Sequence, residues 1–527
     1  MASVQNGEIS NGGRLSSSST LPTQASTTSG NESRRASWRN NKEDSTSVEA
    51  IKEADIGLSV PTHHPQHGLL EPIMHEPTRE AIPPDAAAAR RLYVWSFWTA
   101  TSNMTATILG AGTLAIPYAL KCGGIVWGLC ILFCILLISF YTVRLLIKSA
   151  DQAYVTSAEV FRSYEQLAMV TLGEAGVYVV TIAFVCGGFG LLMANLLVIS
   201  ESILSFVTGK PCQPGYLLDC TLVCVAFLLV LPLSLLKDIR MLRWTSFASV
   251  CTTMYITAFV LAAVYHRSRD DSVAFPSADT VIYAPPNRNL FFSISILVSS
   301  FSCHISALPV YEKLKPKNPR VMEGTAAIAL MLAMLIYCAI GLGGYLCFGA
   351  DTQDNVLNNW YATGRSTWAL RVASLCIGAT LTAACPIVLW PLRSTLISII
   401  QMNCREERRT HMGSGIGRWP CRLSWTVVTV AVIALATIAT IVFPFLRVAL
   451  SIVGSIGGAF IVFIFPALFW LKLSPDRWYH IRNLSAVLLI PAGAALGCTS
   501  LLVVLKRLGI GSALSAVDVH FLDALSQ

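Results

Sequence analysis

Residues 103–118 read Asn-Met-Thr-Ala-Thr-Ile-Leu-Gly-Ala-Gly-Thr-Leu-Ala-Ile-Pro-Tyr, and this stretch interrupts the first long apolar segment of the chain. Gly110 and Gly112 lie two residues apart, and Pro117 follows the first glycine by seven residues. Glycine lowers helix propensity by about 1 kcal/mol and proline by about 3 kcal/mol. Inside a bilayer, the backbone groups that such residues free must find partners in protein, water or ligand. The stretch therefore predicts a broken membrane helix, which is the element from which many secondary transporters build a substrate site.

The composition indicates an integral membrane protein. Of 527 residues, 54% are apolar and 13% are charged, and the mean hydropathy is +0.59. From Tyr93 onwards, apolar stretches of about 20 residues recur, each long enough to cross roughly 30 Å of hydrocarbon as a helix. They predict an all-α protein with eleven transmembrane helices, at 94–119, 124–148, 175–206, 216–236, 244–265, 290–310, 323–349, 367–399, 423–443, 447–471 and 483–505.

Three regions follow from this pattern. Residues 1–92 are polar and nearly free of aromatic residues, so we expect a disordered tail. Residues 93–507 form the membrane domain, and 508–527 a short C-terminal tail. If the N-terminal tail is cytosolic, Lys and Arg are about twice as frequent in the inner loops as outside, which predicts a cytosolic N-terminus and an extracytosolic C-terminus. The net charge of +8 lies in the loops and the tail, so it indicates topology and not nucleic-acid binding.

The sixth predicted helix carries a second irregular stretch. Residues 299–311 read Ser-Ser-Phe-Ser-Cys-His-Ile-Ser-Ala-Leu-Pro-Val-Tyr, and their end echoes Ala-Ile-Pro-Tyr at 115–118. Five predicted helices begin at each echo. Paired interruptions at matching positions indicate inverted repeats, about 94–265 and 290–471, with an extra helix at 483–505. The alternative is a coincidence between two proline-containing helix ends.

Several motifs resemble the amino acid/auxin permease family, which includes the sodium-coupled neutral and the proton-coupled amino acid transporters. The first helix, residues 103–119, is similar to the first helix of that family, and residues 301–315 closely resemble its sixth. Further similar segments follow in order at 163–168, 232–240, 242–246, 344–349, 354–357, 390–393 and 464–473. The tail and some loops look like those of protist members. The resemblance implies a LeuT-like fold of 5+5 inverted repeats, alternating access and a secondary active amino acid transporter.

The substrate of such a protein is a zwitterion. Backbone N–H groups at Gly110, Ala111 and Gly112, at the positive end of the following half-helix, would bind its carboxylate. Carbonyls in the two interruptions would accept from its ammonium group, and Phe301 would close over it. The predicted substrate-binding residues are Thr105, Ala106, Gly110, Ala111, Gly112, Thr113, Ser299, Ser300, Phe301 and Ser302. The alternative is close helix packing through small residues.

Two ionisable side chains lie within or near predicted spans. His304 would relay a proton or, equally, serve as a structural histidine with satisfied hydrogen bonds. Glu201, near the outer end of the third helix, would attract a cationic amino acid or carry a proton. Its simpler interpretation is an interfacial carboxylate in water.

The coupling ion is predicted from the resemblance. Sodium-coupled relatives have an asparagine four residues before the first glycine, where this chain has Ala106, which lacks a side-chain oxygen. Thr380 or Thr382 on the eighth helix would supply the partner hydroxyl of a sodium site. The missing asparagine favours coupling to a proton, or no coupling ion, over sodium. A plasma-membrane transporter is expected, with a vacuolar or lysosome-like membrane or an amino acid-sensing receptor as alternatives.

The cysteines and the motif search add little further chemistry. Most cysteines lie in apolar spans, none has a metal-ligand spacing, and no cofactor is implied. Cys212 and Cys220 bracket a polar loop, and a disulfide between them is open. No HExxH or Gly-x-Ser-x-Gly motif indicates an enzyme.

Overall fold

The computed structural model describes residues 86–157, 161, 163–235, 242–269, 289–315, 317–364, 367–410 and 421–507. All regular elements within these ranges are helical. The predictions for residues 1–85 and for the C-terminal tail, 508–527, lie outside the described residues. The first helix begins at Ala86, within the segment 1–92 for which a disordered tail is expected.

The described residues of the N-terminal part of the membrane domain contain eight α-helices. They are α1 Ala86–Ile108, α2 Gly112–Ser157, α3 Tyr164–Thr208, α4 Tyr216–Cys224, α5 Leu231–Leu235, α6 Leu242–Ser268, α7 Asn289–Ser300 and α8 His304–Lys313. A π-helical segment, Val225–Val230, joins α4 and α5 into one continuous helix. The predicted limits of the corresponding spans agree with these helices to within a few residues at most ends.

Seven α-helices lie in the part of the C-terminal half that the structure describes. They are α9 Pro319–Phe348, α10 Val356–Ala362, α11 Trp368–Thr410, α12 Cys421–Val442, α13 Leu446–Ile452, α14 Phe465–Leu473 and α15 Ile481–Arg507. A π-helical segment, Val453–Ile464, connects α13 to α14. Side-chain caps define several starts: the Asn318 side chain accepts from the N–H of Arg320 at 2.9 Å, and Pro319 occupies the first turn of α9, where it costs no hydrogen bond.

Ten helices of the described residues are long and apolar enough to cross a membrane. Eleven were expected. The difference lies at the start of the domain: α1 is not among the ten, and the predicted boundary between spans 94–119 and 124–148 is a kink within α2 and not a loop. Gly124 instead bends α2 with a φ of 73°, and Gly173 bends α3 with a φ of 71°. Glycine adopts this left-handed conformation without the steric penalty that a Cβ imposes.

The segment from α13 to α14 runs through the centre of the bundle. In the most apolar 18 residues of this segment, 83% of the stretch is buried, which is the highest share among the ten helices that could cross a membrane. It packs against α3, α7 and α15. A Cβ on Gly454 would overlap the carbonyl of Ser295 on α7, so only glycine allows this close approach. α2 packs against α7 and α9, and α3 packs against α11, which surrounds the interruptions with helices.

Candidate substrate site

Both predicted interruptions are present. α1 ends at Ile108 and α2 begins at Gly112; α7 ends at Ser300 and α8 begins at His304. Short-range bonds replace the helical pattern in the first gap, where Gly110 N donates to the Ile108 carbonyl at 3.0 Å. In the second gap, Ser302 N donates to Ser299 at 3.3 Å and Cys303 N to Phe301 at 2.9 Å. The backbone therefore leaves the helical path at both positions.

A tyrosine that the sequence analysis did not single out joins the two gaps. The Tyr337 hydroxyl, on α9, lies 2.7 Å from the Ile108 carbonyl and 2.9 Å from the Ser300 carbonyl. Both carbonyls end a helix, so they lack the partner that a continuous helix would supply. Tyr337 is fully buried. The only signal available in the sequence was a polar ring within an otherwise apolar span.

The two gaps are in direct contact at Gly112. A Cβ on Gly112 would lie 2.6 Å from Ser300 Oγ and 3.3 Å from Ser300 Cα. By contrast, no atom outside the neighbouring residues lies within 4 Å of a Cβ on Gly110, which is half-buried. The glycines therefore differ: Gly112 allows close packing of the two gaps, and Gly110 borders open space. The sequence left two alternatives open, close helix packing and a ligand site. The surroundings of Gly112 are consistent with close packing, and those of Gly110 are consistent with a ligand site.

The hydroxyls around the gaps are mostly engaged locally. Thr105, Ser299 and Ser300 each donate to a carbonyl of their own helix at 2.7–2.8 Å. The Thr113 hydroxyl is buried and, apart from its interaction with the Tyr337 hydroxyl, has no hydrogen-bond partner among the described residues. Ser302 is half-buried. Thr113 is thus the hydroxyl at the start of α2 that remains available to a ligand.

Ala106 and Ala111 border the first gap with apolar side chains. Ala111 is fully buried and Ala106 is half-buried. The N–H groups of Ala111 and Gly112 donate to no backbone acceptor among the described residues, as expected for the first turn of a helix. They lie at the positive end of α2.

Phe301 does not line an open site. Its side chain is fully buried and packs edge-on against the Tyr337 ring, with ring centroids 5.1 Å apart. The expectation that it closes over a ligand requires the ring to leave this contact. In this conformation it supports the tyrosine that joins the two gaps.

His304 is a buried residue at the start of α8 that turns towards α2. Its Nε2 lies 2.8 Å from the Thr142 hydroxyl, which is also within donating distance of the Ile138 and Ser139 carbonyls. If Thr142 donates to its own helix, Nε2 carries the proton and donates to Thr142. Nδ1 is buried without a partner among the described residues. This arrangement is that of a neutral histidine bonded between two helices.

Glu201 is buried, and the interpretation as a water-exposed interfacial carboxylate is wrong. Its side chain is 9% exposed, and its Oε2 accepts from Asn355 Nδ2 at 2.7 Å. Asn355 in turn caps α10, because its Oδ1 accepts from Leu357 N at 3.1 Å. The carboxylate is held by the amide of a neighbouring element, which local sequence does not reveal.

An ion pair lies at the same end of the bundle. Arg447 Nη1, at the start of α13, is 2.7 Å from Asp354 Oδ1, and the Arg447 N–H donates to Oδ2 at 3.3 Å. The guanidinium lies over the Tyr118 ring of α2, 5.6 Å from its centroid. Lys121 Nζ also donates to the Thr352 carbonyl at 3.1 Å. The connection into α10 is therefore tied to α2, α3 and α13.

The two threonines proposed for a sodium site bond elsewhere. Thr380 Oγ1 lies 3.1 Å from Thr252 Oγ1 on α6 and donates to the Cys376 carbonyl at 2.7 Å. Thr382 donates to the Gly378 carbonyl at 2.7 Å. The structure does not bring either hydroxyl to the first gap through any hydrogen bond of the described residues.

Cys212 and Cys220 are both free thiols, so the possible disulfide is absent from this structure. Cys212 is buried in the loop between α3 and α4, and this burial, with the nearby Glu201 carboxylate, raises the pKa of its thiol to about 12. Cys220 is half-buried on α4. Among the described residues, no group of three or more His, Cys, Asp or Glu side chains is arranged to hold a metal ion.

These features define a multi-pass integral membrane protein in which two broken helices meet. The family described as "Transmembrane amino acid transporter protein" matches residues 94–505, and the chain belongs to this family, that of the amino acid/auxin permeases. The family is one of transporters.

Known proteins are similar over most of the chain. The sodium-coupled neutral amino acid symporter 2 of Danio rerio is 23% identical over 421 residues, which cover 76% of this chain and 80% of the symporter. A crystal structure of the Eremococcus coleocola manganese transporter, in complex with an aromatic bis-isothiourea substituted compound, is 14% identical. The matched region covers 82% of this chain and 93% of the manganese transporter chain, with a TM-score of 0.42. No inference about the substrate follows from this similarity.

Proposed function

We propose that the protein is a secondary active amino acid transporter that works by alternating access. The observation that carries the proposal is the junction of the two gaps, where Gly112 meets Ser300 and Tyr337 bonds a carbonyl on each side. Two helices broken at one place free backbone donors and acceptors, which suit a zwitterion without adding net charge.

The substrate site that we propose lies beside Gly110, where the junction is open. The carboxylate binds the N–H groups of Ala111 and Gly112 and the Thr113 hydroxyl. The ammonium group binds carbonyls at the end of α1, around Ala106, together with those of the second gap from Ser299 to Ser302. Family membership and the similarity to the sodium-coupled neutral amino acid symporter 2 of Danio rerio support an amino acid as the substrate.

We also propose eleven spans and LeuT-like inverted repeats. α2 has 46 residues and would measure about 69 Å as a straight helix, more than twice the hydrocarbon thickness. The bend at Gly124 divides it into the second half of the first span and the whole second span. Pro117 and Pro309 support the repeat, because each stands five residues after the start of its half-helix, at Gly112 and His304.

For coupling, we propose a proton or no ion, with sodium as the alternative. Ala106 supplies no side-chain oxygen, and the hydroxyls of Thr380 and Thr382 bond away from the first gap. Glu201 is the proposed proton carrier, because it is a buried carboxylate near the bundle end that Asp354 and Arg447 tie together. The alternative, coupling to sodium, is favoured by the similarity to the sodium-coupled symporter of Danio rerio.

The loop charges support a cytosolic N-terminus, and we propose the plasma membrane, or a vacuolar or lysosome-like membrane, as the location. The orientation is tested by accessibility: a tag before residue 86 should react only after the membrane is permeabilised.

Uptake into proteoliposomes tests the function. Twenty amino acids are screened with sodium or choline outside and with or without a pH gradient. We expect saturable uptake that survives choline, and Glu201→Gln should remove any stimulation by the pH gradient. Collapse in choline would establish sodium coupling, and saturable binding without flux would indicate an amino acid sensor.

A pair of glycine variants tests the site. Gly110→Val should abolish uptake by filling the open space, while the protein still folds. Gly324→Val is the matched control, because Gly324 on α9 is also free of neighbours within 4 Å. Normal uptake by Gly110→Val would refute the proposed site.

A further inference from the structure

A groove opens at one end of the bundle, away from the junction. It consists of two adjoining cavities of about 650 and 310 Å³, between α2, the start of α9, the end of α14 and the start of α15. Arg144, Lys148 and Trp470 line both cavities. Arg320 lines the larger one, and Arg482 lines the smaller.

The groove carries an excess of positive charge. Four cationic side chains line it, against the carboxylates of Asp151 and Glu323, and Arg482 also lies 3.6 Å from the Asp476 carboxylate. Both carboxylates are engaged: Tyr311 donates to Asp151 at 3.2 Å, and Arg144 Nε lies 3.1 Å from Glu323. Lys148 and Arg320, in contrast, make no ion pair within the described part of the chain. Lys148 and Arg320 therefore face a cavity in which Asp151 is the one lining carboxylate without an ion pair among the described residues, and this excess of positive charge favours an anionic occupant.

Exposed aromatic residues indicate the depth of the groove in the membrane. Trp478 and Tyr479 follow α14 and are 66% and 59% exposed. Tryptophan and tyrosine concentrate at the membrane–water interface, where the ring contacts the headgroup region. The loop that carries them leads directly into α15, whose first turn borders the groove at Arg482. The groove therefore lies at the level of the lipid headgroups.

Apolar surface leads from the bilayer into the groove. On α2, Phe133 and Leu137 are exposed and lie one turn apart, and the same face continues to Tyr141, which lines the smaller cavity. On α15, Leu484 and Leu488 are exposed in the same way. Large exposed side chains on the spans of a membrane protein contact acyl chains. A ligand that fills the groove would thus be charged at one end and apolar at the other.

We propose that this groove binds an anionic phospholipid. Lys148 and Arg320 bind its headgroup phosphate, and Arg144 adds a donor from its edge. The headgroup packs on Trp470, and the acyl chains lie along α2 and α15. A bound lipid would hold α2, α9 and α15 together, and the site is separate from the proposed amino acid site.

Native mass spectrometry of the detergent-purified full-length chain tests the proposal. Phosphatidylinositol 4-phosphate is titrated, with phosphatidylcholine as the neutral lipid. Lys148→Gln combined with Arg320→Gln should weaken binding of the anionic lipid about 30-fold, since each cation near a membrane surface contributes about a fivefold factor. The matched control combines Lys313→Gln and Lys472→Gln, which remove two exposed lysines at the same end that line neither cavity.

Three results would overturn the proposal: equal loss in both double variants, no loss in either, or equal binding of phosphatidylcholine. Arg482→Gln is a second variant on an exposed side chain, and it should weaken binding about fivefold without affecting folding. Glycerophosphoinositol 4-phosphate, which lacks acyl chains, distinguishes the source of the phosphate. Weak competition by this compound supports a lipid site, and competition equal to that of the lipid would assign the groove to soluble phosphate esters instead.

Discussion

Removal of a single hydroxyl tests whether the two broken helices act as one unit. Tyr337→Phe keeps the ring, its burial and its contact with Phe301 at 5.1 Å, so no cavity is created. It removes the donor that the Ile108 and Ser300 carbonyls share. An acceptor left buried without a partner costs about 1–3 kcal/mol. The Ile108 carbonyl keeps the Gly110 N–H as a donor at 3.0 Å, so we assign this range to the Ser300 carbonyl, which has no other donor among the described residues.

A cost of that size would shift the protein away from this conformation by a factor of about 5–150. If the junction forms the substrate site, the KM for uptake should rise by up to that factor, because the binding-competent population falls. The unfolding temperature measured by tryptophan fluorescence should fall as well.

Tyr345→Phe is the matched control. Tyr345 lies on the same helix and is 4% exposed, and its hydroxyl makes no hydrogen bond within the described residues. Proteoliposome uptake gives the KM of both variants. If Tyr337→Phe and Tyr345→Phe have the same KM and the same unfolding temperature, the junction is not held by this hydroxyl and the reasoning fails.

Three further predictions concern other contacts. Gly112→Ala should cost about 1–3 kcal/mol by overpacking the junction, whereas Gly110→Ala should be tolerated; equal unfolding temperatures would contradict the difference in their surroundings. Asp354→Asn and Arg447→Gln should show a coupling of about 1 kcal/mol in a double-mutant cycle of thermal stability, as a half-buried ion pair does, and additive effects would argue against the pair. His304→Gln should leave the pH profile of uptake unchanged, since an amide N–H replaces the Nε2 donor. A flattened profile would instead make this histidine a proton sensor.

Much of the helical architecture followed from the sequence because hydropathy and helix breakers act locally. The limits of α6, α9 and α12 came within a few residues of the predicted ones, and both interruptions were predicted from glycine, serine and proline. The predicted boundary near residue 120 is present as a kink at Gly124 and not as a loop, because whether a glycine ends a helix or bends it depends on which helices pack beside it.

What the sequence by itself determined is the class: a bundle of membrane helices, two of them broken, in a family of amino acid transporters. The tertiary structure alone decided which polar atoms meet. Tyr337 bonds Ile108 across 229 positions, and Asn355 bonds Glu201 across 154. A helix break appears in local propensity, but the partner of a freed carbonyl or a buried carboxylate is selected by packing between distant segments, and no local pattern records that choice.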